Sequence, residues 1–270
     1  MSLLEYDFMR RALLAALLVG VAAPSVGVFL VQRRLALLGD GIGHVAFAGV
    51  AAAFVLGTSP VLTALAFTVI GAVSIELLRE RGRTASDIAL AVIFYGGIAG
   101  GALLTYRAGA ANNALSYLFG SVLTVTDADL GIVATVTVGV IVLTFALRKE
   151  LFAICLDEDV ARVSGLPVRG LNLMIALLTA VTIAVAMRVV GLLLVSAMLV
   201  LPVAAVQPLT RSFASTVVAS ICLGAVLSVG GLIFAFYGNL APGATIVLAA
   251  IAVFVLTSGL AHSRLVGRST

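Results

Sequence analysis

Two ionisable residues, Asp40 and His44, lie in a glycine-rich segment of a chain that has few charges. On a helix, residues four apart point to the same side, so this carboxylate and this imidazole would share one face. Both groups are ligands for divalent transition metals. Two ligands are too few for tight binding, but two copies of the chain around a two-fold axis would supply four. A hydrogen-bonded pair at a helix start is the alternative, and the spacing alone leaves both interpretations open.

A second polar segment, residues 156–167, lies between two apolar stretches. Asp157 is suitably placed to cap a short helix, and the acids that follow it suit the positive end of the helix dipole. Gly165 and Pro167 are typical of a helix end. So short a helix is not stable alone. The pattern predicts either a helix that docks into a groove of a partner protein or an ordinary surface helix.

The composition decides the class of protein. The chain has 270 residues, of which 62% are hydrophobic and 10% are charged, and its mean hydropathy is +1.25. Soluble domains are about half apolar and about a quarter charged, so ordinary soluble enzymes are excluded. We expect an all-α, polytopic membrane protein with a single domain over residues 1–270. Nine segments are apolar enough to be predicted as spans: 11–32, 44–58, 61–78, 88–106, 128–147, 170–187, 189–206, 214–236 and 244–261.

The number of spans and the length of one further apolar segment each make a prediction about topology. Nine spans place the termini on opposite sides, and an external N-terminus would put 12 of the 16 basic residues on the cytoplasmic side, as the positive-inside rule requires. Leu115–Val125 is apolar but too short to cross, which indicates a re-entrant or interfacial segment.

Several kinds of site are missing from the sequence. It has no phosphate-binding Gly-rich loop ending in Gly-Lys-Ser/Thr, and its only lysine is Lys149. Cys155 and Cys222 lie far apart in apolar sequence, so we expect packing residues and no disulfide. The sequence shows no nucleophile paired with a base, so an intramembrane hydrolase is not indicated. Work against a gradient would therefore need energy from a partner or a co-transported ion.

Six short motifs, taken in order and spacing, carry a resemblance over nearly the whole chain. The sequence resembles the permease subunits of ABC transporters that import zinc, manganese or iron, the ZnuB-type family. The motifs occupy residues 27–34, 38–44, 116–125, 157–165, 201–205 and 242–244. Three positions depart from the family pattern: Gly43 replaces a common Ser, Leu156 replaces an aromatic residue, and Asn239 replaces a frequent Asp.

The resemblance implies a type II ABC importer permease in a bacterial cell membrane. Two permease copies would form the path, two separate ATP-binding subunits would hydrolyse ATP, and an external metal-binding protein would deliver the ion. Asp40 and His44 match the family's metal motif in the path. The cargo would be zinc or manganese, with iron as a third candidate, and no cofactor would stay bound. The segment within 156–167 matches the family's coupling helix, whose ATPase-coupling residues would be Asp157, Glu158, Asp159, Ala161 and Gly165.

Two other functions stay open at this point. A permease for a metal chelate, such as a siderophore or cobalamin, would also use a dimer and a coupling helix but should not need Asp40 and His44. A secondary transporter would usually show an inverted repeat and acids at the membrane midplane. We find no convincing repeat, and the segment 156–167 would have no role in such a protein.

Overall fold

The computed structural model describes residues 7–79, 83–120 and 125–266, and all regular secondary structure in these ranges is helical. The all-α prediction is therefore confirmed. The helices are α1 (Asp7–Gln32), α2 (Ala36–Leu56), α3 (Pro60–Arg79), α4 (Arg83–Ala108), α5 (Ala111–Phe119), α6 (Asp127–Ala146), α7 (Arg148–Leu156), α8 (Glu158–Val163), α9 (Val168–Val190), α10 (Leu192–Val206), α11 (Phe213–Gly238) and α12 (Pro242–Val266). A 3-10 turn, Gln207–Leu209, follows α10.

Eight of the described helices are long and apolar enough to cross a membrane, one fewer than the nine predicted spans. The predicted span that falls short is 189–206, where α10 has only 15 residues. At 1.5 Å per residue it is about 22 Å long, shorter than the roughly 30 Å hydrocarbon core. The chain breaks at Gly191, not at Arg188, because Gly191 has a φ of +86° that side-chain-bearing residues rarely adopt.

The second span begins earlier than predicted. We expected it over residues 44–58, yet α2 covers Ala36–Leu56 and takes in the glycine-rich segment. Glycine disfavours a helix by about 1 kcal/mol per position, but tertiary packing outweighs this cost here. A Cβ on Gly43 would lie 2.8 Å from a methyl carbon of Leu192, and one on Gly41 would lie 2.8 Å from Leu90. The glycines thus let α10 and α4 pack close to the start of α2.

The bundle is built around α1, α2 and α9, which are the most buried of the candidate spans. At Gly27 the backbone of α1 meets that of α10 so closely that a Cβ would lie 1.7 Å from the carbonyl oxygen of Leu199. Gly224 of α11 also lies close to α1, where a Cβ would be 2.3 Å from the carbonyl oxygen of Gly20. Such close approach is how small residues hold membrane helices together.

Ion pairs show which helix ends lie together. Arg33, just after α1, pairs with Glu158 of α8, whereas Arg11, near the start of α1, pairs with Asp127 at the start of α6. We call the end of the bundle at which Arg33 pairs with Glu158 the α8 end. The last helix, α12, contacts the 3-10 turn that follows α10, at the α8 end. The start of α12 lies near the start of α1, since Pro242 and Gly243 line one cavity with Ala12. Helices α1 and α12 therefore run in the same direction, and the first and last described residues lie at opposite ends of the bundle.

A short helix, α5, overlaps the predicted re-entrant or interfacial segment Leu115–Val125. α5 has nine residues, about 14 Å, and packs against α2, α4, α9 and α10. It ends at Gly120, where a Cβ would lie 2.4 Å from the backbone carbon of Val190. Residues 121–124, the later part of the predicted Leu115–Val125 segment, lie outside the described residues. The helix is too short to cross a bilayer, and it meets the chain break between α9 and α10.

Two ion pairs at the end of the bundle opposite α8 allow a matched test of burial. Arg188 pairs with Asp129 at 2.8 Å, and Arg11 pairs with Asp127 at 2.6 Å. The arginines are similarly exposed, but the side chain of Asp129 is 7% exposed and that of Asp127 is 78% exposed. We expect Arg188→Gln to lower the free energy of unfolding by about 1–3 kcal/mol, because Thr126 is then the one hydrogen-bond partner of a buried carboxylate among the described residues.

Arg11→Gln is the control, and we expect it to cost less than about 1 kcal/mol because Asp127 stays in water. Thermal unfolding of the purified chain in one detergent measures both variants. Equal losses would show that the burial of Asp129 does not matter.

Candidate functional site

Asp40 and His44 lie within α2, one turn apart, on the same side of the helix. His44 is eight residues, about 12 Å, from the first residue of α2. Both side chains are half-buried, while most of their neighbours on α2 are buried, and the two interact electrostatically. The structure thus meets the condition on which the metal-binding interpretation rests, that both residues lie on one helix, and it places this ionisable pair inside a candidate span. Such pairs are costly and are functional candidates by default.

The imidazole of His44 is positioned by α4. Its ring meets that of Phe94 edge to face, with ring centroids 4.6 Å apart. Just beyond, Gly97 brings the backbone of α4 against α2, because a Cβ there would lie 2.7 Å from the carbonyl carbon of His44. The orientation of the imidazole therefore depends on the packing of α4 on α2.

The side chains of Asp40 and His44 form no hydrogen bond or ion pair with the part of the chain that the structure describes. A half-buried carboxylate and imidazole without such partners keep their capacity to bind a cation. Among the described residues, no group of three or more His, Cys, Asp and Glu side chains could hold a metal ion. One chain therefore offers two ligands at this place. The other histidine, His262, lies in α12, and its side chain is outside what the structure describes.

The thiol groups do not add a ligand. Cys155 and Cys222 are both free, so the prediction of no disulfide is met. Burial raises the pKa of the Cys155 thiol to about 11, while the positive charge of Arg33 lowers it by a smaller amount. Because the thiolate is the form that binds metals, Cys155 stays a neutral packing residue at physiological pH.

The predicted short helix of the second segment is α8, Glu158–Val163. Asp157 caps it, since one carboxylate oxygen accepts hydrogen bonds from the backbone N–H groups of Asp159 at 2.9 Å and Val160 at 3.0 Å. Ala161 is buried beneath the helix. Gly165 then turns the chain with a φ of +83°. The segment folds as its cap and its stop signal predict.

A buried arginine holds α8 against the bundle. The guanidinium of Arg33 donates to the carboxylate of Glu158 and to the side-chain oxygen of Asn172 on α9. The Arg33 side chain is 6% exposed and that of Glu158 is 35% exposed, so the guanidinium is screened from water on its side of this charge-assisted bond. The sequence analysis missed Arg33 and Asn172 as partners of α8, because they lie far from Glu158 along the chain.

The opposite side of α8 presents apolar side chains to the outside. Val163 is 89% exposed, and Leu156 and Val160 are exposed with it. A short charged segment would normally place such residues against its own protein. Exposed apolar side chains on an anchored helix are typical of a surface that another protein covers.

These features define a polytopic membrane protein with a carboxylate–imidazole pair inside one span and an anchored, partly apolar helix at one end. Residues 5–261 match the ABC 3 transport family, so the chain belongs to that family. The resemblance seen in the sequence is thereby confirmed.

Similar proteins cover nearly the full length of the chain. The manganese transport system membrane protein MntC of Listeria monocytogenes is 31% identical over 255 residues, which are 94% of this chain and 91% of MntC. The manganese import system permease protein ScaB of Streptococcus gordonii is 30% identical over 253 residues, 94% of this chain and 91% of ScaB. The solved structure of PsaBC from Streptococcus pneumoniae, in complex with Fab, gives a TM-score of 0.85 at 31% identity over 94% of this chain and 92% of the matched chain. The predicted importer-permease fold is confirmed by this match, and the protein is a multi-pass permease of the cell membrane.

The packing of α4 on α2 can be tested with two adjacent glycines. We expect Gly97→Ala to destabilise the protein by about 1–3 kcal/mol, because the new methyl group would overlap the backbone at His44. Gly96→Ala is the control, since a Cβ there meets nothing within 4 Å, and its higher helix propensity should be neutral or stabilising by up to about 1 kcal/mol. Thermal unfolding of the two variants gives the difference, and equal stability would contradict a tight α2–α4 contact.

Proposed function

We propose that this protein is the membrane-spanning subunit of an ATP-driven importer for a divalent transition metal ion, zinc or manganese, with iron as a third candidate. The observation that carries the proposal is the Asp40–His44 pair, two metal-binding groups inside a span without hydrogen-bond or ion-pair partners in the described part of the chain. The names of MntC and ScaB support a metal cargo. An imidazole and a carboxylate suit zinc or manganese better than magnesium or calcium, which prefer all-oxygen ligands.

In this proposal two copies of the chain form the translocation path. Each copy supplies one carboxylate and one imidazole, so four ligands surround the ion near the two-fold axis. Four ligands suit tetrahedral zinc, and added waters would complete the shell of manganese. Because a transported ion must also leave, a site built from few ligands is an advantage. The path would open alternately to each side of the membrane.

We propose that ATP is hydrolysed by two copies of a separate subunit, which bind at the α8 end and cover the exposed valines of α8. An external metal-binding protein would deliver the ion at the opposite end. The α8 end would then face the cytoplasm, with the N-terminus outside. The distribution of basic residues supports this orientation, because the α8 end carries most of those with described side chains: Arg33, Arg34, Arg79, Arg148, Lys149, Arg162, Arg169 and Arg211.

Removal of either proposed ligand should abolish transport. We expect Asp40→Ala and His44→Ala each to reduce ATP-dependent entry of zinc and manganese into vesicles to background, because one ligand per copy is left. The vesicles contain the permease, its ATPase subunit and the cognate metal-binding protein. Assembly with the ATPase should be unchanged in both variants.

Leu56→Ala is the matched control, since Leu56 is an exposed residue at the far end of the same helix, off the face of Asp40 and His44, with no metal-binding group. Uptake should stay near the native level in this variant. Native uptake in the Asp40 and His44 variants would refute the site. If both variants kept transport of a metal chelate, the chelate permease would be favoured, because such a permease does not need this pair. Ion entry without any ATPase would favour a secondary transporter.

The proposed docking role of α8 has its own test. We expect Val163→Asp to reduce co-purification of the ATPase at least tenfold, because a carboxylate would be forced into an apolar contact. The fold should be intact, since Val163 is 89% exposed.

Leu62→Asp is the control at the other end of the bundle, where Leu62 of α3 is 67% exposed. It adds the same charge to an exposed apolar position and should leave ATPase binding unchanged. Normal ATPase binding by the Val163→Asp variant would show that α8 is an ordinary surface helix.

A further inference from the structure

An apolar groove opens on the side of the bundle near the α8 end, between α1, α6, α7 and α11. Its volume is about 440 Å3, within the range of about 300–1,000 Å3 that is usual for sites that bind small molecules. Phe29, Phe145, Phe152 and Phe213 line it. The ring centroid of Phe213 lies 5.7 Å from that of Phe29 and 4.8 Å from that of Phe152, so three of the rings form one continuous wall.

The polar residues of the groove do not make it polar. The Ser25 hydroxyl donates to the carbonyl oxygen of Ala22 at 2.7 Å, and the Thr144 hydroxyl donates to that of Val140 at 2.8 Å. Both hydroxyl protons are therefore used within their own helices. The groove presents a hydrocarbon-like surface, which suits an apolar occupant and offers little to water.

The groove ends in basic side chains. Arg148 and Lys149 lie on its rim, where α6 passes into α7. Arg211 lines an adjoining cavity of about 260 Å3 that shares Phe152 and Phe213 with the groove. None of these three cations forms an ion pair in the described part of the chain. The nearest acid in sequence, Glu150, is half-buried and lines neither cavity.

We propose that this groove binds an anionic phospholipid from the leaflet at the α8 end. One acyl chain lies along the phenylalanine wall, and the phosphate binds Arg148 and Lys149, with Arg211 contributing from the adjoining cavity. Arginine is suited to phosphate because its planar guanidinium can donate two parallel hydrogen bonds. Basic pockets between spanning helices at one membrane surface are typical sites for anionic headgroups.

Charge favours a lipid over a second copy of this chain. A two-fold interface places the same patch of both copies face to face. Arg148 and Lys149 would then approach their own counterparts and lose water without gaining an acid, which is strongly unfavourable. A phospholipid supplies the negative charge and the apolar chain together.

The absence of tryptophan from the sequence allows a direct test. In Phe145→Trp, the new indole is the only tryptophan, and it reports from the groove. The full-length variant is reconstituted into vesicles with brominated phosphatidylglycerol or brominated phosphatidylcholine, which quench tryptophan only at short range. We expect phosphatidylglycerol to be preferred at least fivefold, since each basic group near the surface contributes about 1 kcal/mol.

Removing the charges should reduce the preference. Arg148→Gln with Lys149→Gln, in the Phe145→Trp background, should reduce the ratio of the two association constants to the small preference that Arg211 alone can maintain, with quenching by phosphatidylcholine unchanged. Arg107→Gln, an exposed arginine near the end of α4, removes a charge at the other end of the bundle and should keep the preference. Phe234→Trp, on an exposed part of α11, should report no preference.

Two results would overturn the proposal. Equal quenching of the groove tryptophan by both lipids would show that the basic rim selects no headgroup. A groove tryptophan that neither lipid quenches, while the Phe234→Trp tryptophan is quenched, would show that protein covers the groove. If the double variant does not insert, Lys149→Gln alone serves in its place, and it should lower the preference about fivefold.

Discussion

Close backbone contact at glycine residues is the constraint on which the rest of this structure depends. In a bilayer, apolar side chains gain little by leaving lipid for another helix, so tight packing must hold the bundle together. At Gly27, Gly97 and Gly224 two helices approach too closely for a side chain to fit between them. The contact at Gly97 also determines where the backbone of His44 lies. The candidate metal site thus depends on the same contacts as the fold.

The treatment of charge distinguishes the candidate site from the rest of the chain. Asp129 is buried and pairs with Arg188, and the buried Arg33 pairs with Glu158. Asp40 and His44 lie deeper along a spanning helix, yet they have no comparable partner in the described residues. Ionisable groups left available inside a span are functional candidates, and binding of a cation is the role proposed for this pair.

Arg33 also connects the two candidate functional elements, α8 and the helix that carries Asp40 and His44. It lies in the short connection between α1 and α2, seven residues before Asp40, and it holds Glu158 of α8. A displacement of α8 by a bound partner would therefore act on the start of the helix that carries the candidate metal ligands. Arg33 thus links α8 to the start of the helix that carries the candidate metal ligands.

Composition, motif order and residue spacing were sufficient to determine the membrane class, the approximate positions of most apolar segments, the Asp40–His44 pair and the capped helix in residues 156–167. These features are local, because hydropathy and capping depend on residues near one another in sequence. Only the tertiary structure showed that α2 begins at Ala36, that the chain breaks at Gly191, and that Arg33 anchors α8. Each of these depends on contacts between segments far apart in the chain, and such packing can override local helix propensity.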